Sequence, residues 1–230
     1  MNIALLLLLA ATPASQSWRF ETDGTPTVNV SNINGSIRVE ATEGRTLSVE
    51  YVQEGSEAER AKTPVEVSQD GDEVSVRVRC GTSGKTFNHC SDPVNTHLVL
   101  RVPRDATLAL ASVQAPVKVL GVLGAQEVSS VNGEVVVTGS RGKLEVSSVS
   151  GPVVLEPEAL EDMAVSTVSG NVTLRLPRDA GAQVDFSSVG GRFNGQSVSL
   201  GSTSRRYGNG GHDVDVSTVS GALDVHSDAK

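Results

Sequence analysis

The feature that most restricts how this chain can fold is a ten-residue string that occurs seven times. Its fullest form is VSSVSGPVVL, Val146 to Leu155, and near-copies read VSNINGSIRV (Val30 to Val39), LASVQAPVKV (Leu110 to Val119) and VSSVNGEVVV (Val128 to Val137). VSTVSGNVTL (Val165 to Leu174), FSSVGGRFNG (Phe186 to Gly195) and VSTVSGALDV (Val216 to Val225) complete the set. The shared form is apolar, two small polar residues, apolar, one residue, Gly, then apolar residues two and four places after the Gly. The Gly slots are Gly35, Ala115, Gly133, Gly151, Gly170, Gly191 and Gly221, and from Ala115 onward they are separated by 18, 18, 19, 21 and 30 residues. A unit returning at such a period cannot bury its apolar face alone and folds by stacking on its neighbours.

Apolar residues alternate on each side of the Gly, so each copy supplies two short strands. Val146 and Val149 are three apart, which breaks the alternation; a bend between them is expected, with both valines facing inward. Ser147, Ser148 and Gly151 then occupy a corner where backbone passes close to backbone. The glycines at 35, 133, 151, 170, 191 and 221 are read as structural turn positions. Two all-β architectures fit: an antiparallel β-meander or sandwich, and a β-solenoid of the parallel β-helix or β-roll kind. Near-identity of successive copies favours the solenoid, because stacking like on like holds the sequence constant along the axis. About ten coils at roughly 4.8 Å each would make a rod about 45–50 Å long.

Outside the repeat, residues 1–14 (MNIALLLLLAATPA) carry an apolar run too short to span a bilayer, followed by small residues. This suits a cleaved secretory signal peptide, although no Lys or Arg precedes the run. Residues 15–26 form a polar lead-in containing Trp18 and Phe20, expected to cap the open end of the first repeat. Residues 27–228 are read as a single β-repeat domain. Arg45 to Val52 alternates as a strand, residues 54–62 form a loop with at most one helical turn, and Asp70-Gly71 marks a hairpin. No later segment is apolar enough to span a membrane.

Cys80 and Cys90 are the only cysteines. In an exported chain an even pair favours a disulfide, closing a polar loop with little of its own to bury. The net charge of −8, with no basic cluster, argues against nucleic acid and anionic membrane surfaces as partners.

No G-x-S-x-G elbow occurs, and the serines recur in every copy, which suits a corner better than one activated hydroxyl. The histidines are scattered, and nothing implies a metal or a cofactor. Gly208 to Asp215 resembles one calcium-binding nonapeptide but occurs once, where such sites need consecutive copies; a Gly loop is the simpler reading. Asp213 and Asp215 share a face under period-two alternation, with Asp185 and Asp224 near, the kind of cluster a β-helical carbohydrate-active enzyme would use, but nothing marks them out from solvated charges.

The N-terminal Gly35-Ser36-Ile37-Arg38-Val39 strand, the Val102-Pro103 strand end and the Ser-Gly steps at 150/151, 169/170 and 220/221 resemble one family. It comprises the bacterial exported β-strand-repeat domains known as "putative adhesins", of unknown function, and the likeness runs from about Val28 to Val225. The resemblance implies a β-solenoid-like fold at the cell envelope. Together these readings give a non-catalytic exported scaffold, periplasmic or on the cell surface, whose partner is an envelope component, a polysaccharide or a protein.

Overall fold

A computed structural model describes residues 14–81, 92–178 and 180–227. In chain order the strands that precede the continuous repeat are β1 (Ala14–Glu21), β2 (Thr27–Asn32), β3 (Gly35–Thr42), β4 (Thr46–Gln53), β5 (Val65–Asp70), β6 (Glu73–Val78) and β7 (Thr96–Pro103). The repeat proper contributes β8 (Thr107–Ser112), β9 (Val117–Leu120), β10 (Gln126–Ser130), β11 (Val135–Thr138), β12 (Leu144–Ser148), β13 (Val153–Glu156), β14 (Met163–Thr167) and β15 (Val172–Leu176). The chain ends with β16 (Ala182–Phe193), β17 (Gln196–Tyr207), β18 (His212–Thr218) and β19 (Ala222–Ser227). The loop after β4 contains one short helix, α1 (Glu57–Arg60), closed by a capping box between Ser56 and Glu59.

The fold is a β-solenoid with two parallel ladders facing each other. One ladder runs β6-β2-β8-β10-β12-β14-β18-β16, each strand parallel to the next. The other runs β7-β3-β9-β11-β13-β15-β19, and β16 bends round to add Arg192 and Phe193 beside β19. Eight parallel rungs therefore form the first ladder, in place of the ten coils expected. The remaining length is antiparallel: β5 flanks β6, β17 flanks β16, β4 flanks β7, and β1 flanks β4.

Register puts like on like. One inward column reads Val30, Leu110, Val128, Val146, Val165, Val216, Phe186, and the column opposite reads Leu100, Val39, Val119, Val137, Leu155, Leu174, Val225. Every member is buried.

Chain order and spatial order part company at both ends. The first copy (β2-β3) lies inside the coil made by β6 and β7. The last copy (β18-β19) is inserted between the β14-β15 coil and β16. The extra length between Gly191 and Gly221 is taken up chiefly by a twelve-residue strand, β17. Residues 208–211 form a short glycine turn, and residues 212–215 belong to β18.

The corner valine corrects the inward reading. Val149 is 43% exposed, and Val113, Val131, Val168, Val189 and Val219 are exposed with it. The inward position belongs to the residue before: Ser112, Ser130, Ser148, Thr167, Ser188 and Thr218 are all buried. The cause is hydrogen bonding. The N–H groups of Gly133, Gly170 and Gly221 donate to the hydroxyls of Ser130, Thr167 and Thr218 at 3.1, 2.9 and 2.8 Å, so the hydroxyl must face in. The next residue along the chain then points out.

Candidate functional site

Stacking turns one outward valine per coil into a row. Along the axis it reads Ile33, Val113, Val131, Val149, Val168, Val219 and Val189, and from Val113 to Val219 each N–H makes a corner bond to the coil before, such as Val131 N–H to Ser112 O (3.0 Å) and Val149 N–H to Ser130 O (3.0 Å). Leu200 on β17 lies beside Val189 and prolongs the row. Next to the valines runs a floor of small outward residues: Ser31, Ala111, Ser129, Ser147 and Ser166. Projecting valines beside short side chains enclose a groove of about 600 Å³ from Ile33 to Val168. Those five rungs span about 19 Å at the spacing of a parallel ladder.

Among the described residues no charged side chain lines the groove. Its backbone is also spoken for: besides the N–H bonds above, the carbonyls of Val113, Val131, Val149 and Val168 accept from Asn132, Ser150, Ser169 and Ser220, each at 2.9 Å. The surface therefore offers apolar contact and hydroxyls, but no free strand edge. Isolated exposed valines need no explanation, whereas a contiguous row of them does. The sequence held a signal for it: a Ser, Thr or Asn stands three residues before every Gly slot, the spacing of a side-chain-to-backbone turn that must face inward.

The other singled-out residues fall elsewhere. An added Cβ on Gly151 would stand 1.9 Å from Gly133 O, and the corresponding approaches at Gly133, Gly170, Gly191 and Gly221 are 2.1–2.4 Å, each to the carbonyl of the adjoining coil. Only Gly35 of the slot glycines has a positive φ, 107°. Cys80 lies in the segment after β6, while Cys90 lies outside the described residues, as do residues 82–89 between them. Asp215 and Asp185 are in register on neighbouring rungs, with Asp213 on the same strand; Asp224 is on the other ladder.

One constellation escaped the sequence reading. Ser36 Oγ is 3.0 Å from His97 Nδ1, and His97 Nε2 is 3.3 Å from Glu54 Oε1. Hydrogen bonds from Asn95, then from His97, hold the Glu54 carboxyl below its ordinary range. A nucleophile also needs a cavity and free oxyanion donors. This row lies on the outer face of the second ladder, outside the groove, and the neighbouring Ile37 N–H is bound to Pro116 O (2.9 Å). It is a cross-strand polar row. Among the described residues no three or more His, Cys, Asp or Glu are grouped to hold a metal, and no helix is long and apolar enough to cross a membrane.

Residues 121–226 match the family described as Toastrack DUF4097, in agreement with the resemblance read from the Ser-Gly copies. A solved structure of a "putative cell adhesion protein" from Clostridium sporogenes has a TM-score of 0.52 at 12% identity, covering 94% of this chain and all (100%) of that one. Weaker likenesses are a "putative lipid binding protein" from Parabacteroides distasonis (TM-score 0.43, 7% identity, 92% of this chain and 96% of that) and a "putative adhesin" from Bacteroides fragilis (0.39, 10%, 92% and 97%). At 12% identity the likeness to the Clostridium sporogenes protein is one of fold. No curated protein matches the sequence.

Proposed function

We propose that the protein is a non-catalytic, exported β-solenoid scaffold of the cell envelope that holds the acyl chain of an envelope lipid along its corner groove. The observation that carries this reading is the unbroken apolar row over a floor of small residues, without a charged side chain among the described residues and with its corner backbone already paired. A peptide adding as a strand needs unpaired N–H and C=O groups. A polysaccharide partner is favoured by aromatic faces, and the aromatic pairs of this chain, Trp18 with Tyr51 and Phe186 with Phe193, are spent at the two ends of the solenoid. What remains is a partner recognised by apolar surface along its length.

Export rests on the apolar run and small residues of positions 1–14, and it agrees with a Cys80–Cys90 disulfide. Thiol titration of the purified, unreduced protein is expected to find no reactive cysteine; two thiols would remove that support.

Titration with a dansylated fatty acid tests the groove. Saturable binding is expected. The double substitution Val131→Asp/Val149→Asp, which sets two carboxylates in the apolar row, should weaken it by about tenfold or more, at a cost of about 1.4 kcal/mol or more. Lys118→Ala, on the other ladder, should leave it unchanged. Absence of saturable binding, or equal binding by the double variant, sinks the reading.

A further inference from the structure

We propose that β17 is a self-association edge, on which a second copy of this chain docks by pairing its own β17 antiparallel across a twofold axis at Leu200. The inference rests on the end strand and is independent of what fills the groove. β17 is twelve residues long, pairs among the described residues with β16 alone, and packs only Val198 and Tyr207, both partly buried, against the core. Exposed sheet edges are templates for pairing, and proteins ordinarily guard them with charge. The other edge strands are guarded in this way: Glu66 and Asp70 lie on β5, and Arg19 and Glu21 on β1. Residues 196–204 of β17 (QSVSLGSTS) carry no charge and no proline.

Leu200 marks the centre. It is 84% exposed, against 53% or less for the other exposed large apolar residues. Its φ of 47° lies in the left-handed region that residues with a side chain rarely adopt. An apolar side chain held out to solvent on such a backbone points to a covering partner. Leu200 is also the midpoint of the uncharged stretch. Pairing about it sets Leu200 against Leu200, Val198 against Ser202 and Gln196 against Ser204 of the other copy. Arg205 and Arg206 then fall outside the paired residues, at opposite ends of the dimer, so no like charges meet. A twofold contact of this kind is self-complementary and closed, which allows a dimer and not a fibre. The two valine rows meet end to end at the axis, because Leu200 is the last member of each.

Sedimentation velocity of the full chain over a dilution series, with three variants, tests the proposal. Wild type is expected to populate a species of twice the chain mass. Leu200→Gly keeps the backbone conformation, since glycine adopts positive φ freely, and is expected to melt like wild type while sedimenting as a monomer. Leu200→Cys is expected to form a covalent dimer on non-reducing gels, because directly opposed Cβ atoms are close enough for a disulfide. Val149→Cys is expected to form none. A wild-type monomer at every concentration, a dimer that persists in Leu200→Gly, or cross-linking through Val149→Cys in place of Leu200→Cys would each overturn it.

Discussion

Ser130 does two things with one oxygen: it accepts from Gly133 N–H (3.1 Å) and donates to Gly133 O (3.0 Å), both buried. Removing the hydroxyl strands a buried donor and acceptor, which costs about 1–3 kcal/mol. Ser130→Ala is therefore expected to lower urea-unfolding stability by that amount. Ser130→Thr should cost much less, because Thr167 and Thr218 occupy the same slot in other copies. Equal losses for the two would show that the slot is read for volume and not for the hydroxyl. Gly151 is constrained differently, by the neighbouring coil and not by φ. A Cβ 1.9 Å from a backbone carbonyl has no rotamer to escape into. Gly151→Val should therefore cost several kcal/mol, beyond the usual ~0.5–3 of a point change, while exposed Glu134→Ala stays within about 0.5. Comparable midpoints for the two in urea would dispose of the coil-contact argument.

Elements at the ends of the stack solve a problem that the middle coils do not have. A central coil buries both flanks against copies of itself, so Val and Leu suffice. An end coil lacks one neighbour, and there the chain uses rings: Trp18 stacks on Tyr51 (5.4 Å) at one end and Phe186 on Phe193 (5.8 Å) at the other. Phe186 is fully buried at a position where other copies carry Val or Leu. Phe186→Val brings its copy closer to the common pattern, yet it is expected to destabilise by about 2–4 kcal/mol through the cavity left at the cap. Gain or neutrality in thermal melts would refute the capping role. This contrast explains what was legible in the sequence. Period-two alternation exposes strands and core columns, because side-chain direction follows from strand geometry alone. It is silent at a corner, where hydrogen bonding of Ser148 and its counterparts, and not apolarity, decides which residue turns in; hence Val149, expected inward, stands outward. It is equally silent on stacking order, since seven similar copies fit one another in many sequences along the axis. The Ser36-His97-Glu54 row likewise depends on strands β3, β4 and β7 meeting, which no local pattern encodes.

At the scale of the molecule, interleaving places the first and last copies inside the stack, with neighbours on both flanks, and leaves the end positions to β6-β7 and to the β16-β17 hairpin. The first and last copies of the repeat are thus interior rungs, while the middle coils remain interchangeable. That interchangeability can be tested by subtraction. Gln126 pairs with Leu144 and Val128 with Val146, so removing residues 126–143 joins Ala125 to a strand in the same register. β12 should then pair with β8, and Gly151 should close on Ala115 as Gly133 now does. In a stack whose stability is nearly a sum over coils and their interfaces, the loss is one coil and one interface. The shortened chain is expected to melt cooperatively at a modestly lower temperature, with a valine row shorter by about 4.8 Å. Removing residues 126–142 deletes one residue fewer but shifts β12 by one position. A one-residue slip sends a strand's apolar set to the opposite face. Val146 and Leu144 would then face solvent, while Glu145 and Ser147 entered the core. That variant is expected to lose its cooperative melt and accumulate as insoluble protein, and similar circular-dichroism melts for the two deletions would mean that register between coils does not hold this fold together.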